Sequence, residues 1–197
     1  MGLLLIKQAA AIITGNKDNR VLYDTDILID GPQIKKIGRD LLKDMRLGSC
    51  EIIDGRNMYI YPGLVNTHHH FFQAFVRNNA WLDWTTQNVL EWIETIYPLF
   101  CAMTPEAIFY TTMISMADLV KHGCTTAFDH QYCYPKQAGV ELVDQQMAAA
   151  ELMGMRFHAG RGTNTLSRDD GSPLPEELIE TTDTFIKDCD RLVSLYH

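Results

Sequence analysis

The residues with the clearest chemical potential are three consecutive histidines in the stretch PGLVNTHHHFFQ, residues 62–73. They follow a short apolar run that is typical of a buried strand. Residues i and i+2 of a strand point to the same side, so His68 and His70 can aim their rings at one point while His69 points away. Neutral imidazole is a common ligand for zinc and iron. The pair therefore predicts half of a metal site, with zinc as the first expectation and iron as the alternative.

A His-x-His pair alone is a weak signal, because a histidine-rich surface turn gives the same pattern. Two histidines also do not complete a catalytic zinc site, which usually takes three protein ligands and keeps a position for water. The position in the chain favours the metal site. The pair ends the strand that starts a series of strand–helix units, and catalytic groups of βα barrels gather at the carboxyl ends of strands.

The elements before this pair predict a small β module over residues 1–61. The stretches LLLIK, AAIIT, DILID and MYIYP are apolar or alternating, which is typical of short strands. The turns between them are supplied by GNKDN and by two Asp-Gly pairs. No helical pattern stands out in this part.

From Pro62 onward, strands alternate with helices. NVLEWIETIYPLF predicts a helix, and a second begins at Thr104 and Pro105 as N-cap and first position and ends at Gly123. CTTAF and MRFHAG predict strands, a further helix ends at Gly154, and Pro175 is expected to open the last helix. Such alternation predicts a parallel sheet with crossover helices.

Length and composition limit the function further. Residues 62–197 fit about four units of a (β/α)8 barrel, and the chain ends within the helical pattern RLVSLYH, which predicts the N-terminal part of a longer protein. The net charge of −8 argues against a nucleic-acid partner. No apolar run is long enough for a membrane span, and the start lacks the basic segment of a signal peptide. Five cysteines without a C-x-x-C pair indicate reduced thiols and a cytoplasmic protein.

The stretch PGLVNTHHHFFQ resembles the first-strand signature P-G-x-[IV]-[DN]-x-H-x-H of the amidohydrolase superfamily. The similarity continues through MTPEAIFYTTMISMADLVKHGCTTAFDHQYCYP and GMRFHAGRGTNTLSRDDGSPLPEEL, and so covers essentially the whole chain. HHHFFQ together with HAGRGTNTLS is more specific. It resembles the ring-deaminating branch, most closely 8-oxoguanine deaminases and their hydroxyatrazine- and isoxanthopterin-hydrolysing relatives.

This resemblance implies an α/β fold in which a small β-sandwich, built from both chain ends, accompanies a metal-dependent (β/α)8 TIM barrel. Residues 1–61 would form the N-terminal part of the sandwich, and residues 62–197 about the first four βα units. One divalent metal would be held by His68, His70 and later ligands. The catalytic proton-transfer residues are expected beyond residue 197, and the full-length protein is expected to be a homo-oligomer.

The implied reaction is hydrolytic deamination of a purine- or pterin-like ring, in which metal-activated water attacks the amine-bearing carbon and ammonia leaves. Gln73 is expected to contact the ring edge, although a solvated loop glutamine is the plain alternative. Arg161 is expected to hold a ring carbonyl, although a salt bridge is the commoner fate of an arginine. The alternatives are an amidohydrolase that cleaves cyclic amides and an inactive, truncated half-barrel. The fragment alone is expected to be inactive.

Overall fold

The computed structural model describes residues 2–44, 50–79 and 88–197. The chain divides into two compact units, Met1–Pro62 and Gly63–His197. No helix among the described residues is long and apolar enough to cross a lipid bilayer. All five cysteines lie in the described part and are free thiols.

The first unit is a sheet of five strands in the order β3-β2-β1-β4, with β5 also paired to β1. Its strands are β1 Leu3–Ile13, β2 Val21–Asp30, β3 Gln33–Gly38, β4 Cys50–Asp54 and β5 Tyr59–Ile60. The first three strands pair antiparallel, whereas β4 and β5 run parallel to β1. Ala9, Ile12 and Ile27 form its small apolar core.

One prediction for this unit was wrong, because LLLIK and AAIIT form a single strand, β1. The pairing of β1 with β2 shifts register between Ile6 and Ala9, at a bulge. Gln8 lies there with φ of 54°, and its N–H donates to Asp26 Oδ1 at 2.7 Å. The carboxylate satisfies a backbone group that the bulge removes from the ladder, so the strand continues through the polar pair.

The second unit is built on three parallel strands in the order β6-β7-β8. Its elements are β6 Leu64–Asn66, α1 Val89–Phe100, α2 Pro105–Lys121, β7 Cys124–Gln131, α3 Leu142–Met153, β8 Arg156–Arg161 and α4 Thr182–Tyr196. Ala127 of β7 packs with Met116 of α2 and Ala150 of α3 in an apolar cluster. Helices therefore cover the sheet as expected for βα units.

The predicted helix boundaries are confirmed where local capping sets them. Asn88 forms a reciprocal capping box with Glu91 at the start of α1. Thr104 accepts a hydrogen bond from the Ala107 N–H at 3.1 Å, directly before α2. Gly154 ends α3 with φ of 65°, a conformation that glycine adopts without steric cost.

The last helix begins later than predicted. Pro175 opens only the short 3-10 turn Glu176–Leu178. Thr181 is the N-cap of α4, and its hydroxyl accepts from the Thr184 N–H at 3.1 Å. Between the two, the Glu180 N–H donates to the Asn164 carbonyl at 2.9 Å, which holds this segment in a non-helical path.

The described part of the second unit contains three strands, where the average length of a βα unit predicted about four. The difference arises in the connection between the first two strands of this parallel sheet, β6 and β7. Between β6 and α2 the chain also forms a 3-10 turn, Phe71–Val76, and the additional helix α1. Residues that would elsewhere make a whole unit are used in this connection.

An ion network centred on the buried Asp188 ties β8 to α3 and α4. Asp188 is 3% exposed and accepts from two arginines, from Arg161 Nε at 2.9 Å and from Arg191 Nε at 2.9 Å. Arg161 also pairs with Glu180, and Arg191 with Asp144. Each guanidinium therefore contacts two carboxylates, as burial of charge requires.

We predict that Asp188→Ala lowers the free energy of unfolding by about 3 kcal/mol, since breaking a buried pair leaves a charge uncompensated. Asp190→Ala, on the exposed side of the same helix, is the matched control and should change stability by about 0.5 kcal/mol or less. Urea unfolding of both variants measures the difference. Equal losses in the two would mean that the network contributes nothing to stability.

Candidate metal centre

The structure brings the two predicted ligands together. The Nε2 atoms of His68 and His70 lie 3.2 Å apart, with the rings nearly perpendicular. The strand itself ends at Asn66, so the convergence arises in the segment that follows β6. Asn66 supports this segment, because its side-chain oxygen accepts from the His68 N–H at 3.2 Å.

A backbone contact sets the orientation of the His70 ring. Its Nδ1 lies 3.0 Å from the carbonyl oxygen of His130, at the end of β7. A carbonyl only accepts, so Nδ1 carries the hydrogen and Nε2 keeps its lone pair. Burial is the main factor that lowers the pKa of His70 below its usual value. The hydrogen bond to the His130 carbonyl raises this pKa, but burial outweighs it and favours the neutral ring that a metal requires. The same bond fixes which nitrogen faces the cation.

His69 is used differently from its neighbours. It is half-buried, its ring packs on Phe71 at 4.6 Å between centroids, and its Nδ1 accepts from the His70 N–H at 2.9 Å. A neutral imidazole that accepts through Nδ1 carries its hydrogen on Nε2. No nitrogen lone pair of this neutral ring is then left for a cation.

Gln73 lies beside the histidine pair, in an open cleft of about 660 Å³ that His68 and His70 also line. It is half-buried, and its Nε2 donates to the Tyr132 hydroxyl at 3.3 Å. The Tyr97 hydroxyl donates to the same oxygen at 3.2 Å. Burial raises the pKa of Tyr132, so its hydroxyl keeps its own hydrogen for donation to a third group.

Arg161 is at the carboxyl end of β8, as its position in the sequence indicated. Its side chain is 5% exposed and held by Glu180 and Asp188, and its guanidinium carbon lies 3.6 Å from the ring centre of Tyr134. The guanidinium already has two carboxylate partners, which account for its position without a substrate. The substrate contact of Arg161 therefore stays a prediction.

The end of β7 forms the floor under the histidines. His130 donates its N–H to the His69 carbonyl at 2.9 Å, and the buried carboxylate of Asp129 accepts from the Phe71 N–H at 2.6 Å. Gly162 leaves room beside His130 and Tyr132, because a Cβ there would lie 2.5 Å from His130 Nε2 and 2.7 Å from Tyr132 Cβ. Glycine is therefore required where the end of β8 passes this ring.

Two residues near the site, Tyr97 and Tyr132, were missed by reading the sequence. Tyr132 lies directly after β7 and packs edge-on against His70, with 5.0 Å between ring centres. Its place behind a strand end was a usable signal. Tyr97 lies within α1 and reaches Tyr132 only through the fold.

The comparisons with curated proteins find deaminases and an aminohydrolase. The chain is 50% identical to hydroxydechloroatrazine ethylaminohydrolase of Pseudomonas sp. (strain ADP), over 94% of the chain and 40% of that protein. It is 38% identical to 8-oxoguanine deaminase of Pseudomonas aeruginosa, over 73% and 31%. It is 34% identical to isoxanthopterin deaminase from an unknown prokaryotic organism, over 98% and 40%. The chain thus spans about 40% or less of the length of these relatives.

A similar solved structure is the atrazine chlorohydrolase of Arthrobacter aurescens TC1 complexed with zinc. It superposes with a TM-score of 0.86 at 30% identity, over 98% of this chain and 43% of that one. The similarity confirms the predicted fold class, mixed α/β with part of a (β/α)8 barrel. The model of the amidohydrolase family matches residues 59–195, which include both His68 and His70. The chain belongs to the amidohydrolase family.

Proposed function

We propose that this chain supplies the first two metal ligands and a ring contact of a metal-dependent hydrolytic deaminase. Its substrate would be an aminated purine- or pterin-like ring, or a related nitrogen heterocycle such as a triazine. The observation that carries the proposal is the 3.2 Å separation of His68 Nε2 and His70 Nε2. The names of the relatives, which include a deaminase of 8-oxoguanine and one of isoxanthopterin, support the class of substrate.

The pair fits a divalent cation. At zinc–nitrogen distances of about 2.0–2.1 Å and a tetrahedral angle, two ligand nitrogens lie about 3.3 Å apart. The observed 3.2 Å agrees with this geometry, and zinc is the cation that we propose. An N–H···N hydrogen bond between the rings would give a similar distance, so the metal must be tested directly.

The described residues hold no group of three or more His, Cys, Asp or Glu side chains arranged for a metal. Catalytic zinc usually takes three protein ligands, so a complete site needs ligands beyond these two. A cation held by a complete site would lower the pKa of water and make hydroxide available at neutral pH. The role of this chain in that site would be to hold the imidazoles of His68 and His70 at a defined separation.

Gln73 would orient the substrate. Its amide offers an acceptor and two donors, which suits the edge of a purine or pterin. The hydrogen bond to Tyr132 restrains the amide, and a restrained amide loses less conformational freedom when a ring binds. Gln73 lies in the same cleft as His68 and His70, so a ring that it holds would meet water at the cation.

The metal assignment predicts that His68→Ala or His70→Ala weakens zinc binding by the chain at least about tenfold, since outer partners of metal ligands alone are worth that much. His69→Ala should keep most of the affinity, because its ring makes a backbone contact instead. His122→Ala, at the exposed end of α2, is the control. Zinc titration against a chelating dye measures all four. Loss of zinc in His69→Ala with retention in His70→Ala would refute the assignment.

The reaction is best tested in a chimera, in which this chain replaces the matching stretch of the hydroxydechloroatrazine ethylaminohydrolase. We expect release of ammonia or alkylamine from 8-oxoguanine, isoxanthopterin or an aminated triazine. Ring opening of cyclic amides, without amine release, would favour the amide-hydrolysing alternative. Substrates of each class are offered in parallel, with His70→Ala as the inactive reference.

In that chimera, Gln73→Ala should lower kcat/KM about tenfold with zinc content unchanged, which corresponds to about 1.4 kcal/mol of lost transition-state binding. Gln33→Ala, an exposed glutamine of β3, should leave kcat/KM unaltered. An unchanged kcat/KM for Gln73→Ala would remove the ring contact from the proposal.

Arg161→Lys separates two roles of the arginine, because lysine keeps the charge and loses the two-pronged geometry. If Arg161 contacts substrate in addition to its ion pairs, Arg161→Lys should lower kcat/KM as well as thermal stability. If the ion pairs with Glu180 and Asp188 are its whole role, thermal stability falls and kcat/KM is retained. Thermal unfolding and steady-state kinetics of the same preparation distinguish the two.

A further inference from the structure

A buried carboxylate lies behind the histidine pair. Asp129 is in β7 and is fully buried. Its Oδ1 accepts from the backbone N–H of Phe71 at 2.6 Å, and its Oδ2 accepts from Gln146 Nε2 at 2.7 Å. Phe71 is the residue directly after His70, so this carboxylate holds the backbone on one side of a proposed ligand.

Two more hydrogen bonds from the same strand end reach the same segment. The His130 N–H donates to the His69 carbonyl at 2.9 Å, and the His130 carbonyl accepts from His70 Nδ1 at 3.0 Å. The backbone before His70, its ring and the backbone after it are thus each bonded to β7. Three contacts on consecutive residues restrain both the position and the rotation of this imidazole.

Placing a carboxylate behind the histidine segment has a cost in free energy. Removing an ionised carboxylate from water costs several kcal/mol, and burial raises the pKa of Asp129 to about 7. In its ionised form, however, this side chain makes a shorter and stronger hydrogen bond to an amide than a neutral acceptor does. The 2.6 Å distance to Phe71 is shorter than the usual N–H···O distance of about 2.7–3.2 Å.

We propose that Asp129 is a positioning residue for the metal ligand His70, acting through the Phe71 amide. The inference rests on the proposed function, since it takes His68 and His70 as the ligands. The separation of the two Nε2 atoms is set by where the backbone of residues 69–71 lies. Without the Asp129 contact, that backbone is free to move and the His70 ring can turn away from the His130 carbonyl.

The neighbouring glutamine provides a conservative test. Gln146 is fully buried, and its Oε1 has no hydrogen-bond partner in the described part of the chain. In Asp129→Asn, the side-chain oxygen can still accept from Phe71. The Gln146 amide can then turn over, so that its Oε1 accepts from the new NH2 group. Asp129→Asn should therefore preserve the positioning, whereas Asp129→Ala removes it.

The first experiment is a cobalt(II) titration of the 197-residue chain, followed by the visible absorption of the bound ion. Asp129→Ala should weaken cobalt binding about tenfold to a hundredfold and alter the spectrum, as expected for the loss of an outer partner. Asp129→Asn should retain both the cobalt affinity and the spectrum of the unmodified chain. Gln146→Ala is the matched control, because it removes a buried partner of Asp129 but leaves the Phe71 contact, and it should bind cobalt like the unmodified chain.

A second measurement needs no metal. Nitrogen-15 spectra of the histidine side chains report which ring nitrogen carries the hydrogen. In the unmodified chain, Asp129→Asn and Gln146→Ala, His70 should be protonated on Nδ1, and in Asp129→Ala it should shift towards Nε2. Should Asp129→Ala not fold, Asp129→Ser carries the same expectation, because its shorter side chain cannot reach Phe71 as Asp129 does.

The outcomes separate this inference from the proposed function. His70→Ala serves as the reference for a missing ligand. If it loses cobalt while Asp129→Ala keeps the affinity, the spectrum and the Nδ1 hydrogen, Asp129 is merely a buried structural group and the inference is overturned. If His70→Ala binds cobalt like the unmodified chain, the ligand assignment itself fails.

Discussion

The hydrogen bond from His70 Nδ1 to the His130 carbonyl is the interaction on which the candidate site depends. It exists because β6 and β7 are parallel neighbours, paired from Leu64 with Cys124 to Asn66 with Ala127. Parallel pairing brings the residues beyond both strand ends to one edge of the sheet. At this edge, the hydrogen bond on Nδ1 leaves the lone pair of His70 on Nε2. That atom lies 3.2 Å from His68 Nε2. The pairing of β6 with β7 thereby sets the relative position of the two proposed ligands.

The candidate site combines a buried support with an exposed imidazole. Asp129 is buried beneath the histidine segment, whereas His68 is exposed to solvent. A buried support restrains the backbone, and an exposed ring remains accessible to a cation and to further ligands. Gln73 extends the same edge towards the hydroxyls of Tyr132 and Tyr97. The proposed metal ligands and the proposed ring contact therefore share one support, the end of β7 and the segment packed on it.

Features set by neighbouring residues could be predicted from the sequence. Thr104 and Asn88 cap helices through bonds that span three residues, and the spacing of His68 and His70 predicted their convergence. Features set by distant residues could not. The two carboxylates that hold Arg161 lie 19 and 27 residues away, and nothing in its local sequence indicates them. The late start of α4 is similar, because the Glu180 amide that keeps the preceding segment out of the helix bonds to Asn164.

The central claim is that His68 and His70 bind one cation together, and X-ray absorption of the zinc-loaded chain tests it most directly. The structure predicts two imidazole nitrogens at about 2.0–2.1 Å from zinc, seen as the outer-shell scattering of histidine rings. That signal should disappear in a chain that carries both His68→Ala and His70→Ala. A sulfur shell at about 2.3 Å, or a first shell of oxygen alone, would place the cation elsewhere and contradict the account.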